Sequence, residues 1–403
     1  MLARHNGQIV LVWGAIPGER VRARIERSGK GVLFAETVDV LAASPDRRAG
    51  LADWRCGGNV LAHVTYDRQL QIKADIIRDA FARIGRLPLE TSPRVVASPE
   101  AGYRMRARFH VRSGRIGFVR EGSHDICAVG PTRQLLLETV DWIKEAEARL
   151  HSERLRGLSS IEIAENIPGT ERACHLELEP GTEARPFAVL ATDAITGLSA
   201  QVLDRRGVEA IVGVAFVSDS IGTLVLKRDV RAFSQGNRFL LEGLIRHVCD
   251  LVPGSGPVVD LYAGVGIFGL SLAAAGRADI TLVEGDPVGG QDLEENARPF
   301  PERTRVERSS VEDFLDSSQT GRAATFIVDP PRTGMSREAM RGIRRAKPAR
   351  LVYVSCDVAT LARDVRALVD HGYALEQISA FDLFPNTAHV ESVCLLRPEV
   401  EDR

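Results

Sequence analysis

The chain has 403 residues, 44% hydrophobic and 26% charged, with 52 Lys and Arg against 54 Asp and Glu. These are the proportions of an ordinary globular protein of two or three domains. The chain holds no run of about 18 apolar residues, so a membrane-spanning helix is excluded from the expected elements.

The opening MLARHNGQIVLVWG lacks a small-residue cleavage site after a long apolar core. No secretory signal is expected, and the cytoplasm is the expected address. Six cysteines lie far apart and none forms a C-x-x-C pair. Neither a disulfide framework nor a zinc ribbon is expected. The net charge of -2 conceals an asymmetry: residues 1–120 carry 21 Lys and Arg against 11 Asp and Glu, and the remainder 31 against 43. A basic front on an acidic back is the footprint of a polyanion ligand, although clustered surface charge alone gives the same count.

Residues 7–45 alternate short β-branched runs with turn signals at PGE and SGKG, the pattern of a small barrel. Residues 46–60 read as a loop. VTYDRQLQIKADIIRDAFARIG then places apolar residues at helical spacing up to Gly85. From 93 to about 238 the pattern is α+β: YRMRARFHVRSGRIGFVREG reads as a hairpin and TRQLLLETVDWIKEAEARLH as an amphipathic helix. Strand-like runs SSIEIAEN, RACHLELE, AIVGVAFV and GTLVLKR follow. Beyond about 239 helical stretches alternate with the apolar runs PVVDLYAG, DITLVEGD, TFIVDPPR, RLVYVSCD and ESVCLLRP. That alternation predicts an α/β fold, a doubly wound, Rossmann-like sheet.

In VVDLYAGVGIFGLSLA a strand runs into a glycine turn and then a helix. Gly264 and Gly266 are expected to let the backbone pass close to a ligand. Asp260 stands before the turn, where a carboxylate can meet a cationic ligand, and Glu284 ends the next strand, where it can accept from both hydroxyls of a ribose. S-adenosylmethionine, with a sulfonium and no pyrophosphate, satisfies this arrangement better than a dinucleotide does. In FIVDPPRTG a buried strand ends at Asp329 and two prolines stiffen its exit. A planar substrate can be held there. The residue after the prolines is Arg332 rather than an aromatic, which disfavours a stacked exocyclic amine as the target.

Cys356 follows the strand of RLVYVSCD at the edge of the same sheet, ahead of a helix. Ligand sites form outside the carboxyl ends of such strands, so Asp260, Glu284, Asp329 and Cys356 are expected to face one rim. A thiol at a helix N-terminus can be lowered in pKa and act as a thiolate. A buried cysteine is otherwise an inert core residue. Glu391, at the start of ESVCLLRP, is a candidate base. A methyl donor, a nucleophilic thiol and a base together fit methylation at carbon 5 of uracil. Thiolate addition at carbon 6 makes carbon 5 nucleophilic, and a base later removes its proton.

DLYAGVGIFGL, DPPRTG, VSCDVATLARD and FPNTAHVESV resemble the RNA uracil-C5 methyltransferase family, over nearly the whole chain. The resemblance implies a class I SAM-dependent methyltransferase domain at 239–403, a central RNA-binding α+β domain at 93–238, a loop and helix at 46–92 and a TRAM-like (OB-type) small barrel at 1–45, with its first strand or two missing. It implies Cys356 as nucleophile and Glu391 as base. It implies Gln235 (from FSQGN), Tyr262, Glu284, Ser310 and Asp329 in the cofactor and uracil pocket, and Arg104, Arg106 and Arg108 as phosphate contacts. Many members bind a four-iron cluster through four cysteines. Here the matching positions are Gly50, Cys56 and Asn59, with Cys127 as the fourth. Two thiolates remain, and an iron–sulfur cluster is not expected.

The expected protein is a monomer that methylates uridine in rRNA or tRNA, with RNA as partner and no membrane. Two other classes fit parts of the sequence: a SAM methyltransferase on a small molecule or protein, and a non-catalytic RNA-binding protein on the same fold. The basic front and the complete SCD motif speak against them.

Overall fold

Four short aliphatic runs, Val258–Leu261, Ile280–Val283, Thr325–Val328 and Arg350–Ser355, form the centre of an eight-stranded sheet. They do so in a computed structural model that describes residues 1–49, 53–317 and 324–399. Strands buried on both faces are mostly apolar along their length, and these are, with Asp260 the one acid among them. The spatial order is Thr304–Glu307, Ile280–Val283, Val258–Leu261, Thr325–Val328, Arg350–Ser355, Glu391–Pro398, Tyr373–Phe381, Val95–Val96. All are parallel except Glu391–Pro398, which runs antiparallel between its neighbours.

Alternate strand residues feed two cores. Val259, Leu261, Phe326, Val328, Leu351 and Tyr353 pack with helices Val311–Ser317, Arg337–Ala346 and Val358–Val369. Val258, Ile327, Val352 and Val354 pack with Leu241–Asp250, Gly269–Ala274 and Pro287–Ala297 on the other face. The expected doubly wound sheet is therefore present, and its order reverses at Val258–Leu261, where such sheets bind ligands.

The helix and short strand between residues 66 and 96 are built into this layer. Helix Tyr66–Arg83 lays Ile77, Ala80 and Phe81 into the first of those cores, and Val95–Val96 adds the eighth strand beside Ala380–Phe381. The central region forms a seven-stranded sheet ordered Glu209–Gly213, Gly197–Val202, Arg172–Leu178, Leu158–Glu165, Arg106–Arg112, Arg115–Val119, Ile126–Cys127. Helix Leu137–Ser152 covers it through Trp142, Ile143, Ala146 and Leu150. The expected hairpin is the pair Arg106–Arg112 and Arg115–Val119.

The N-terminal segment departs from expectation. Its four strands, Leu2–His5, Gln8–Trp13, Arg20–Gly29 and Val32–Ala42, make an open sheet with Leu2–His5 and Arg20–Gly29 at the edges. Among the described residues nothing closes it into a barrel. Only Val10, Val12, Ala15 and Ala35 form its own core, and Arg20–Gly29 exposes nearly every residue, so there is too little apolar surface to wrap the sheet on itself. Leu2–His5 is a strand where the sequence suggested none before Gly7.

The cysteines also depart from expectation: Cys56 and Cys127 are joined by a disulfide. Cys56 lies in a loop whose backbone bridges to Arg120, and that bridge brings it beside the last strand of the central sheet. Gly50, the first position matching the cluster ligands, lies outside the described residues. No described helix is long and apolar enough to cross a membrane.

Phe81 is fully buried between its helix and the sheet. Phe81→Ala is expected to cost about 3–5 kcal/mol of stability, read by urea unfolding. A loss below about 1 kcal/mol would mean that the helix is not part of the catalytic core.

Candidate active site

The carboxyl ends of the central strands open into a cleft of about 840 Å³ lined by Tyr262, Gly264, Glu284, Ser310, Asp329 and Cys356. Each residue is placed there by the end of a strand. Tyr262 follows Leu261, Glu284 follows Val283, Asp329 follows Val328 and Cys356 follows Ser355. Glu391 reaches the same rim by the opposite route. Its strand is antiparallel, so its first residue lies level with the last residues of its neighbours: Glu391 pairs with Phe381, and Ser392 with both Ser355 and Ala380.

One half of the cleft is a cradle. The Gly264 amide donates to Glu284 Oε2 at 2.7 Å, and the Asp286 amide donates to Oε1 at 2.6 Å. A Cβ on Gly264 would meet only the Phe233 carbonyl, 3.7 Å away, so this glycine faces open space at φ +55°. Tyr262 beside it also has a left-handed backbone, φ +60°, a strained geometry for a tyrosine at a ligand rim. Ser310 accepts from the Asp313 amide at 3.1 Å and caps the next helix. Both Glu284 oxygens are thus held in place by backbone amides at the floor of the cleft.

Two expected cofactor residues do not face the cleft. Asp260 is fully buried behind it, and its Oδ2 accepts from the Gly269 amide at 2.8 Å. It holds a helix start rather than meeting a cation, because the turn folds back over the strand end. Burial raises its pKa to about 7. Gly266 serves packing: at φ +96°, a Cβ there would lie 2.5 Å from Leu270 and 2.8 Å from Leu293.

The other half of the cleft gathers the reactive groups. Gln235, nine-tenths buried, donates from Nε2 to Asp329 Oδ2 at 3.1 Å. Glu391 is completely buried, and among the described residues neither carboxylate oxygen has a hydrogen-bond partner. Burial and the nearby Asp329 charge push its pKa well up, against the pull of Arg332. Burial likewise lifts Asp329 to about 7. The Cys356 thiol is pushed up to about 11, by burial and then by Glu391, with Arg332 opposing. This corrects the expectation of a lowered thiol pKa. The helix Val358–Val369 begins two residues later, and its N-cap is taken by the Asp357 carboxylate, which accepts from the Thr360 amide at 2.9 Å. A thiol facing two carboxylates stays protonated at rest.

The three arginines proposed for phosphates separate. Arg106 pairs with Glu162 at 3.2 Å, and Arg108 pairs with Glu177 and, at 3.6 Å, with Glu162. Arg104 lines the cleft and makes no salt bridge among the described residues. Sequence reasoning left Arg332, Tyr103, Phe233, Leu383 and Phe384 without a role, and all five line the cleft. The signal for Leu383 and Phe384 was the FPN turn just before Glu391.

The comparisons with known proteins agree with this geometry. A family model described as tRNA (Uracil-5-)-methyltransferase matches residues 311–399, which hold Asp329, Cys356 and Glu391. An uncharacterized RNA methyltransferase of Thermotoga maritima is 30% identical over 97% of this chain and 94% of its own length. Another, from Bdellovibrio bacteriovorus, is 31% identical over 98% of this chain and 91% of its own. This chain belongs to the RNA uracil-C5 methyltransferase family. Among solved structures it is similar to the Pyrococcus abyssi tRNA (uracil-54, C5)-methyltransferase in complex with S-adenosyl-L-homocysteine. The TM-score is 0.77 at 25% identity, covering 96% of this chain and 94% of that one. Like its family, this enzyme is an RNA methyltransferase that takes S-adenosylmethionine as methyl donor.

The Cys356 thiol, pushed up to about 11, is protonated at neutral pH. A methylation that draws on its thiolate is therefore expected to speed up at saturating substrate as the pH rises from about 7 to about 10, measured by methyl incorporation into RNA. A flat or falling profile would contradict that assignment.

Proposed function

We propose that the enzyme methylates carbon 5 of uridine in RNA through a covalent bond between Cys356 and carbon 6. The observation that carries this reading is the Cys356 thiol on the wall of the cleft that Glu284 also lines, with the buried, unpartnered Glu391 carboxyl close enough to act on that thiol. The cofactor, when bound, supplies an electrophilic methyl group on a sulfonium. The protein supplies the rest.

Cys356 loses its proton to solvent, and its sulfur bonds to carbon 6 as the ring's carbon 5–carbon 6 double bond opens. Electron density moves to carbon 5 and the neighbouring carbonyl, and carbon 5 would take the methyl group as its bond to the sulfonium breaks to leave a neutral thioether. Glu391, as the carboxylate, removes the proton from carbon 5. The carbon–sulfur bond breaks, and the ring double bond returns. Glu391 suits that step because no donor inside the protein competes for its oxygens. Arg332, the one cation acting on both Cys356 and Glu391, favours the charged form of each.

The Gln235–Asp329 pair presents acceptors where a planar base would sit. An acceptor there suits the N3–H of uracil and opposes the bare N3 of cytosine. The target base must leave its stack to reach a cleft this deep, which favours loops and unpaired sites. Arg104, the unpaired cation of the basic strand, is the best placed of the three arginines for a phosphate. Both transfer and ribosomal RNA suit this chemistry, and the Pyrococcus protein's substrate makes transfer RNA the first to try.

The reading is tested by incubating the enzyme and labelled S-adenosylmethionine with tRNA and rRNA fractions and identifying the methylated nucleoside. 5-Methyluridine is expected; label in protein, or on another nucleoside, would refute it. Cys356→Ala is expected to lower turnover at least about 10³-fold while leaving S-adenosylmethionine affinity within about threefold. Activity near wild type would rule out the covalent route. Glu391→Gln is expected to accumulate an RNA–protein adduct that survives denaturing gels, since the sulfur cannot leave until the carbon-5 proton does. Normal turnover without adduct would remove Glu391 as the base.

A further inference from the structure

Lys73 lies in the middle of helix Tyr66–Arg83, outside every sequence motif used above, and it is completely buried. Its ammonium pairs with Asp382, also completely buried. It donates as well to the Phe384 carbonyl at 2.9 Å. Asp382 accepts from Tyr66 Oη at 3.0 Å and from the Phe384 amide at 3.2 Å. Tyr66 Oη in turn accepts from the Ser98 amide at 2.8 Å. The buried Asn237, two residues after Gln235, donates to Ser98 Oγ at 2.9 Å and to the Leu383 carbonyl at 3.2 Å. One hub thus ties the helix and the 95–98 segment to both loops that flank the reactive half of the cleft. Leu383 and Phe384 line that half on one loop, and Ser234 and Gln235 on the other.

An unpaired buried ammonium is costly, and here both hydrogen bonds that Lys73 donates among the described residues go to one loop. An apolar residue would fill the same space more cheaply, so the pair is kept for where it fixes the chain. Glu391 follows that loop, and an error of about 1 Å in such a site is enough to lower turnover by about 10²-fold.

We infer that Lys73 is a positioning residue of methyl transfer, fixing the 382–390 loop and hence the nucleobase side of the cleft without touching cofactor or base. This rests on the function proposed above. Burial lowers the Lys73 pKa, and the Asp382 charge and hydrogen bond offset part of that fall.

The test compares wild type with Lys73→Met and with Lys73→Met/Asp382→Asn. The double variant removes both charges while leaving an oxygen for the Phe384 amide, so it folds if the single variant does not. Hydrogen–deuterium exchange, S-adenosylmethionine affinity by calorimetry, thermal midpoint and turnover on RNA are measured for each. Positioning predicts faster exchange by at least about tenfold in 383–390, none in 262–286, cofactor affinity within about threefold, and turnover lower by at least about tenfold even where the double variant regains the wild-type midpoint. Three results overturn it: unchanged exchange in 383–390, wild-type turnover in the folded double variant, or cofactor affinity falling in step with turnover. Absence of uridine methylation by wild type would refute the proposed function, and the exchange comparison would still decide whether Lys73 holds the loop.

Discussion

Ser355 and Ser392 face each other across an antiparallel pair inside a sheet that is otherwise parallel. That one reversal governs the chemistry. A parallel strand delivers its last residue to the ligand rim, and an antiparallel strand delivers its first. Cys356 therefore arrives from the end of one strand and Glu391 from the start of its neighbour. The 34 residues between them pass through helix Val358–Val369 and the strand Tyr373–Phe381 before returning. Had the last strand entered parallel, Glu391 would stand at the opposite edge of the sheet. Pairing also fixes distance: neighbouring strands lie about 4.8 Å apart, so a thiol and a carboxyl at the ends of adjacent strands share one local electrostatic environment.

The consequence is a site tuned upward in pKa. Burial raises all three acids, Cys356, Asp329 and Glu391; Asp329 raises Glu391 further, and Glu391 and Asp329 both raise Cys356. Arg332 pulls Cys356 and Glu391 the other way, and it stands exposed at the end of the Pro330–Pro331 turn. A cationic ligand in the cleft would act in the same sense as Arg332. At rest the thiol is therefore protonated.

Much of this was legible in the sequence, for identifiable reasons. Aliphatic runs ending in Tyr262, Glu284, Asp329 and Cys356 marked strand ends, and strand ends mark the rim. What failed depended on partners distant in sequence. Asp260 turns to a helix amide nine residues on, which no strand pattern reveals. Gly266 gives way to Leu293, from a later helix. The thiol was expected to be acidic because its helix was visible and the carboxylates converging from two other strands were not. Arg106 and Arg108 read as free cations because Glu162 and Glu177 lie on strands more than 50 residues away. The same holds for Cys56 and Cys127, 71 residues apart. The barrel was inferred from alternation, which defines strands but says nothing of whether their number and apolar area allow closure.

Burial alone does not separate structure from chemistry in this protein; satisfaction does. Glu165 and Glu391 are both completely shielded from solvent. Glu165 bonds to Arg172, Arg238 and Thr139, and Asp382 is likewise saturated by Lys73, Tyr66 and a backbone amide. Those carboxylates have spent their lone pairs on holding chain segments together, and they cannot accept a proton from a substrate without breaking the fold. Glu391 has none of its lone pairs engaged, at a cost in desolvation that only a ligand can relieve. Among the described residues the buried carboxyl with both oxygens unpartnered is Glu391, and its strand register sets it beside the end of the strand that carries Cys356.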